Sequence, residues 1–126
     1  MPKAIEISFD KWPARGLFTN EAGNTLHWGP RNELRHEARE EAYWRAYNRL
    51  DKPFEKATID IFVTAGDRRR RDLDSVLSAC KSWVDGLVLA GIIKDDNYFC
   101  IPRISITFQG VGKENVTIVV SEVTDG

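Results

Sequence analysis

Two aspartates separated by one leucine, Asp72 and Asp74, follow directly on four consecutive arginines, Arg68 to Arg71. In extended backbone, alternate side chains point to the same side, so the two carboxylates would be presented together. Such a pair suits a hard cation. Mg²⁺ takes oxygen ligands in a near-octahedral shell, accepts one or two protein carboxylates, and keeps water and substrate phosphate in the remaining positions. The adjacent arginines supply the opposite sign, without which clustered carboxylates would repel a polyanion. Further along stand Lys81, Asp85 and the pair Asp95-Asp96. Each feature also has a plainer reading: an aspartate before an apolar periodic run is a common helix N-cap, turns are rich in aspartate for local hydrogen bonding, and arginines protect a strand edge from aggregation. One cap accounts for one aspartate, and less readily for two beside four arginines.

The elements that must position these residues can be read from periodicity. Ala4 to Phe9 alternates as a half-buried strand, broken by Asp10, Pro13 and Gly16. From there to Pro30 the chain reads as a long irregular loop carrying Trp12, Phe18 and Trp28. Asn32 to about Arg49 is dense in Glu, Arg and Ala and predicts a first helix, ended by Asp51 and Pro53. Ala57 to Val63 predicts a second strand, followed by Gly66 and Asp67, so the charged cluster lies just past a strand end.

From Asp74 to Ala90, apolar residues at Val76, Cys80, Trp83, Val84, Leu87 and Val88 gather on one side of a second helix. Gly91 is its natural C′ residue. Asp74, Ser78, Lys81 and Asp85 share the opposite, polar stripe, with Asp74 and Lys81 about 10.5 Å apart along the axis at ~1.5 Å per residue. That is too far for an ion pair and close enough to line one site; a solvated face of an amphipathic helix would look the same. The apolar run Tyr98 to Ile101, then Ile104 to Phe108 and Val116 to Val123, predicts a strand hairpin finishing the sheet. The order β-α-β-α-β-β gives an α/β (α+β) fold: one small domain over residues 1–126, a mixed sheet and two main helices.

Composition sets the frame. A chain of 126 residues, 42% hydrophobic and 29% charged, describes one globular domain, able to bury roughly two-thirds of its unfolded surface without a disulfide or structural metal. Cys80 and Cys100 lie in apolar stretches without zinc-site spacing and read as reduced core residues. No signal peptide is visible and no apolar run approaches the ~18 residues of a membrane span, so a cytoplasmic protein is expected. The formal net charge of −1 speaks against a protein that coats DNA; the arginine run concentrates positive charge locally.

Read as one string, Arg68-Arg69-Arg70-Arg71-Asp72-Leu73-Asp74, then Lys81, Asp85-Gly86-Leu87 and Ala90-Gly91-Ile92-Ile93-Lys94-Asp95-Asp96, the chain resembles the RusA family of Holliday junction resolvases over about a quarter of its length. The family pattern is a basic stretch, D-L-D-N, a helical lysine, D-x-L, A-G and a D-D pair. Ser75 stands where the family usually has Asn, and the spacing from Asp74 to Lys81 is about one helical turn longer than in the best-known member and closer to phage-borne relatives. Asn32, His36 and Trp44-Arg45 also look like phage-type members, but no role is carried over to them, and His36 reads rather as an ordinary exposed helix residue.

The resemblance implies catalytic aspartates at Asp72, Asp74 and Asp96 holding Mg²⁺, or alternatively Mn²⁺, an essential lysine at Lys81, and DNA contacts through Arg68, Arg69, Arg70 and Arg71. It further implies paired symmetric nicks in a four-way junction during recombination and repair, with 5′-phosphate and 3′-hydroxyl products, by a homodimer whose symmetry matches the substrate. Trp12, Phe18, Trp28 and Trp83 are candidates for core or interface. Three other readings compete: a nuclease for other branched or flap DNA, a non-catalytic DNA-binding module, and a nucleotide-sugar transferase using an Asp-x-Asp pair. The last usually needs a larger chain, and no glycine-rich phosphate loop is visible.

Overall fold

The computed structural model describes residues 3–18 and 28–124. Four strands form one mixed sheet. In β1 (Ala4–Phe9), Ile5, Ile7 and Phe9 turn inward. In β2 (Ala57–Ala65), every second residue from Ala57 is buried, the alternation expected of a strand with one covered face. β3 (Ile104–Val111) is an edge strand, and β4 (Asn115–Glu122) buries Val116, Ile118 and Val120. The sheet order is β1-β4-β2-β3, with β4 antiparallel to both its neighbours and β3 parallel to β2. The expected class and element order are present: a small α+β domain with a mixed sheet.

The last two strands do not form the expected hairpin, because β2 lies between them. After Val111 the chain crosses over the end of β2, where the Gly112 N–H donates to the Ala65 carbonyl at 2.8 Å, and returns as β4 on the far side. Pairing of β3 with β2 shifts between Val63↔Phe108 and Ala65↔Val111, an extra residue on β3 accommodated beside Gly110 at φ +106°. Tyr98 to Ile101 is not strand but turn.

α1 (Trp28–Ala46) begins four residues before the predicted start. Pro30 falls in its first turn, where a missing N–H leaves no bond unmade. The helix ends ahead of Asn48, which takes φ +62°, a left-handed conformation that asparagine tolerates. Of the predicted irregular loop, residues 10–18 hold one turn of 3₁₀ helix at Arg15–Leu17, while 19–27 and the Trp28 side chain lie outside the described residues.

The predicted second helix is divided into α2 (Leu73–Ala79) and α3 (Lys81–Leu89) at Cys80. Cys80 has ψ −8°, well short of the usual helical −42°. Its N–H is shared between the Val76 and Leu77 carbonyls, each at 3.1 Å, so one over-tightened turn interrupts the regular helix. At the other end, the Gly91 N–H bonds to Val88 O and the Ile92 N–H to Leu87 O, a Schellman cap with Gly91 at φ +81° as expected.

Trp83 on α3 is core, stacked on Phe9 with ring centroids 3.8 Å apart and planes within 4°. Phe18 is buried as well, and Trp12 is half-buried with its indole N–H donating to Thr64 O at 2.8 Å. α1 crosses α3 at Gly86, so closely that a Cβ there would lie 2.2 Å from the Arg39 carbonyl oxygen and 2.8 Å from Ala42 Cβ. The glycine is what lets the two backbones meet. Both cysteines are free thiols; Cys80 is buried, and burial pushes its thiol pKa up to about 12.

Candidate functional site

Asp72 occupies the N-cap position of α2 with extended backbone, φ −77° and ψ 133°. Its carbonyl accepts the N–H groups of Ser75 and Val76 at 3.1 and 3.2 Å, yet its carboxylate makes no capping hydrogen bond. The cap position therefore does not employ the Asp72 side chain. Asp74 sits in the first helical turn and accepts the Ser75 N–H on Oδ1 at 3.0 Å. Both aspartates are exposed, while Ser75 is buried beneath them.

Lys81 opens α3. Its Nζ donates to Asp85 Oδ1 at 2.7 Å, one turn along the same helix, and to Asp96 Oδ2 at 3.3 Å. The second contact closes a gap of 15 residues in the chain. It exists because the Schellman cap turns the chain back after α3, and because the loop that follows is internally bonded. Asp95 Oδ1 accepts the Asp96 N–H at 2.7 Å, and Asn97 Oδ1 accepts the N–H groups of Phe99 and Cys100 at 3.0 and 3.2 Å.

Partial burial works to lower the Lys81 pKa, but hydrogen bonding and charge from Asp85, then Asp96, outweigh it and hold the pKa above its ordinary value. The Lys81 hydrogen bond and charge in turn hold the Asp96 carboxyl below its usual range. The cluster holds the Lys81 ammonium between the Asp85 and Asp96 side chains.

The four arginines are not equivalent. Arg68, Arg69 and Arg70 are exposed, and Arg69 is tied to Asp67 by its backbone N–H at 2.9 Å and its guanidinium at 3.9 Å. Arg71 is half-buried, its guanidinium lying 5.3 Å from the Phe18 ring centre and 5.9 Å from that of Trp12, within cation–π range of both. It anchors the run to the loop after β1. A cleft of about 510 Å³ runs between the arginines and the edge strand, bordered by Asp72, Leu73 and Phe108.

The structure thus brings Lys81, Asp85 and Asp96 together and leaves Asp72 and Asp74 at the start of α2. Lys81 turns toward Asp85 and Asp96, and among the described residues no three His, Cys, Asp or Glu side chains form a metal-ligand group. The donor chemistry nonetheless fits a hard divalent cation: exposed carboxylate oxygens, engaged one or two at a time, with water and phosphate completing the shell. His36 is an exposed helix residue facing Glu40 at 3.6 Å.

Sequence reasoning missed the character of Tyr98 and Phe99, taken as strand and found as two exposed rings in the turn that follows Asp96. Their signal was available in the Asp-Asp-Asn turn just before them, since residues that cap their own backbone rarely lead straight into a strand. No known protein family matches the chain, and no curated protein matches it as a relative. Among the described residues, no helix is long and apolar enough to cross a membrane.

Proposed function

We propose that the chain is a Mg²⁺-dependent endodeoxyribonuclease that resolves four-way DNA junctions by paired symmetric nicks, leaving 5′-phosphate and 3′-hydroxyl ends. The observation that carries this reading is the 3.3 Å contact between Lys81 and Asp96, two residues expected in one site from motif order and far apart in the chain. In this reading Asp72, Asp74 and Asp96 hold Mg²⁺, or Mn²⁺, through oxygen donors. The bound ion would lower the pKa of a water and offset charge developing on the phosphoryl oxygens. Lys81, kept protonated by its two carboxylate partners, stabilises the same developing charge when the phosphate displaces one of them. Arg68, Arg69 and Arg70 grip the backbone, and Arg71 fixes the run in place. Two such sites on a cytoplasmic homodimer match a two-fold substrate.

The test is cleavage of a labelled synthetic four-way junction beside a linear duplex of the same sequence, in Mg²⁺ and in EDTA. Paired nicks confined to the junction, dependent on metal and reduced about 10²- to 10³-fold in Asp74→Asn, the scale of losing one charge-stabilising group, support the proposal. Near wild-type cleavage by Asp74→Asn refutes the site, and a monomer mass by light scattering at micromolar concentration refutes the dimer. One observation favours a second reading, a DNA-binding module without chemistry: the carboxylates of Asp72, Asp74 and Asp96 are not gathered into one ligand group. Junction binding with no cutting by either protein would establish that. Faster cutting of a flap than of the junction would move the substrate within the branched class.

A further inference from the structure

Tyr98 and Phe99 leave 76% and 72% of their surface in solvent, with ring centroids 4.7 Å apart. They contribute little to the core, and the hydrophobic effect favours hiding both. The loop that carries them is nevertheless ordered on both sides. Asn97 holds the Phe99 N–H through its side chain and the Cys100 and Ile101 N–H groups through its carbonyl, at 3.0 and 2.8 Å, and Ile101 is buried. On the other side Asp96 is tied to Lys81. The backbone that carries the rings is therefore held in place two and three residues after Asp96.

Resting on the nuclease reading above, we infer that Tyr98 and Phe99 form a stacking platform for an unstacked nucleobase at the branch point of the DNA substrate. Charge selects which part of DNA can settle there. Asp95, an exposed carboxylate that bonds within its own turn and is neither a Lys81 partner nor an expected metal ligand, stands three residues before Tyr98 and disfavours phosphate at the rings, whereas the face of an unstacked base is neutral and fits an aromatic surface. In continuous duplex every base face is already stacked, so the platform discriminates for branched DNA. A second copy of the chain is a poorer occupant. Two rings offer about 300–500 Å², short of the ~800 Å² per partner that a stable interface buries.

The test is a binding assay in EDTA, with 2-aminopurine at the branch of a four-way junction and, separately, within a continuous duplex. Expected is a change in 2-aminopurine emission on the junction with wild type. Tyr98→Ala/Phe99→Ala should lose that change and about 5- to 150-fold in junction affinity for the one base stacked, with duplex binding unaltered. Tyr98→Phe should retain both signals. If the double variant binds and reports like wild type, the inference is overturned while the nuclease reading stands. Absence of DNA binding and of cleavage by wild type overturns both. Loss of affinity accompanied by a shift from dimer to monomer in light scattering overturns the inference in favour of a contact between copies.

Discussion

Replacing Gly86 by alanine sets two opposite effects against each other. Alanine is favoured over glycine in a helix interior by about 1 kcal/mol. Against this, the new methyl would lie 2.2 Å from the Arg39 carbonyl oxygen, 2.8 Å from Ala42 Cβ and 3.0 Å from the Tyr43 nitrogen. Two of these three atoms are backbone and cannot rotate away, so α1 and α3 must part by roughly 1 Å to restore ordinary contact. A gap of 0.5–1 Å forfeits about a quarter to a half of each contact's attraction, and overpacking costs about 1–3 kcal/mol or more. With the upper part of that range applying to a backbone clash, the net loss is about 2 kcal/mol. In a chain of this size that lowers Tm by about 6–10 °C. Urea unfolding and thermal melts followed by circular dichroism measure both quantities. Gly91→Ala is the control: φ is +81° and no atom lies within 4 Å, so its cost of about 1–2 kcal/mol comes from backbone conformation alone. A Gly86→Ala protein as stable as wild type, or more so, would mean that helix propensity has won and that the close crossing is wrong.

Cys80, buried with its thiol pKa near 12, should resist a disulfide reagent at pH 8 in the native protein, so that at most one of the two thiols reacts until denaturant is added. Lys81→Gln should let the Asp96 carboxyl titrate upward toward the ordinary carboxylate range, read by carboxyl NMR; no movement would refute the ion pair. Because the Asp96 pKa is lowered on folding, its contribution to stability is present above the unfolded pKa and disappears as pH falls through the folded one. That contribution is small, since both partners are about half exposed. Arg68→Ala and Arg70→Ala should each reduce the slope of log affinity against log salt by about 1 for DNA binding. Arg71→Ala should instead lower Tm, because its guanidinium packs on Trp12 and Phe18.

Much of this architecture is local and therefore legible in the sequence. The period-2 alternation of Ala4 to Phe9 and Ala57 to Val63 states which side chains face the core, and the stripe from Val76 to Leu87 does the same for the helical segment. Gly91 announces its cap for the same reason. Alternation, however, names a face and never a neighbour, so nothing in Val116 to Val123 says that this strand inserts between β1 and β2. The division of the helix at Cys80 is equally silent, because the apolar spacing continues through it. Gly86 looks like part of a motif until α1 is seen crossing it. Asp96 and Lys81 could be expected in one site from the family resemblance, but not their ion pair. The bonding of Lys81 to Asp85 as well, and the role of Trp12 and Phe18 under Arg71, depend on chain segments meeting in space.

The place of β4 in the sheet bears on how the protein is made. Among the described residues β1 pairs with β4 alone, Ala4 lying opposite Ser121, so β1 waits until β4 has been made before it can hydrogen-bond in the sheet. β2 likewise gains β3 first and keeps an open edge until β4 arrives. Contacts of such sequence separation are slow to form, because loop-closure entropy must be overcome before they reward it. During translation two apolar strands stand with unpaired edges, the kind of surface on which nascent chains associate wrongly. Pairing of β1 and closure of the open edge of β2 are then late events that wait for β4, whereas the contact of Lys81 with Asp96 and the packing of Arg71 on Trp12 and Phe18 involve only segments made before it.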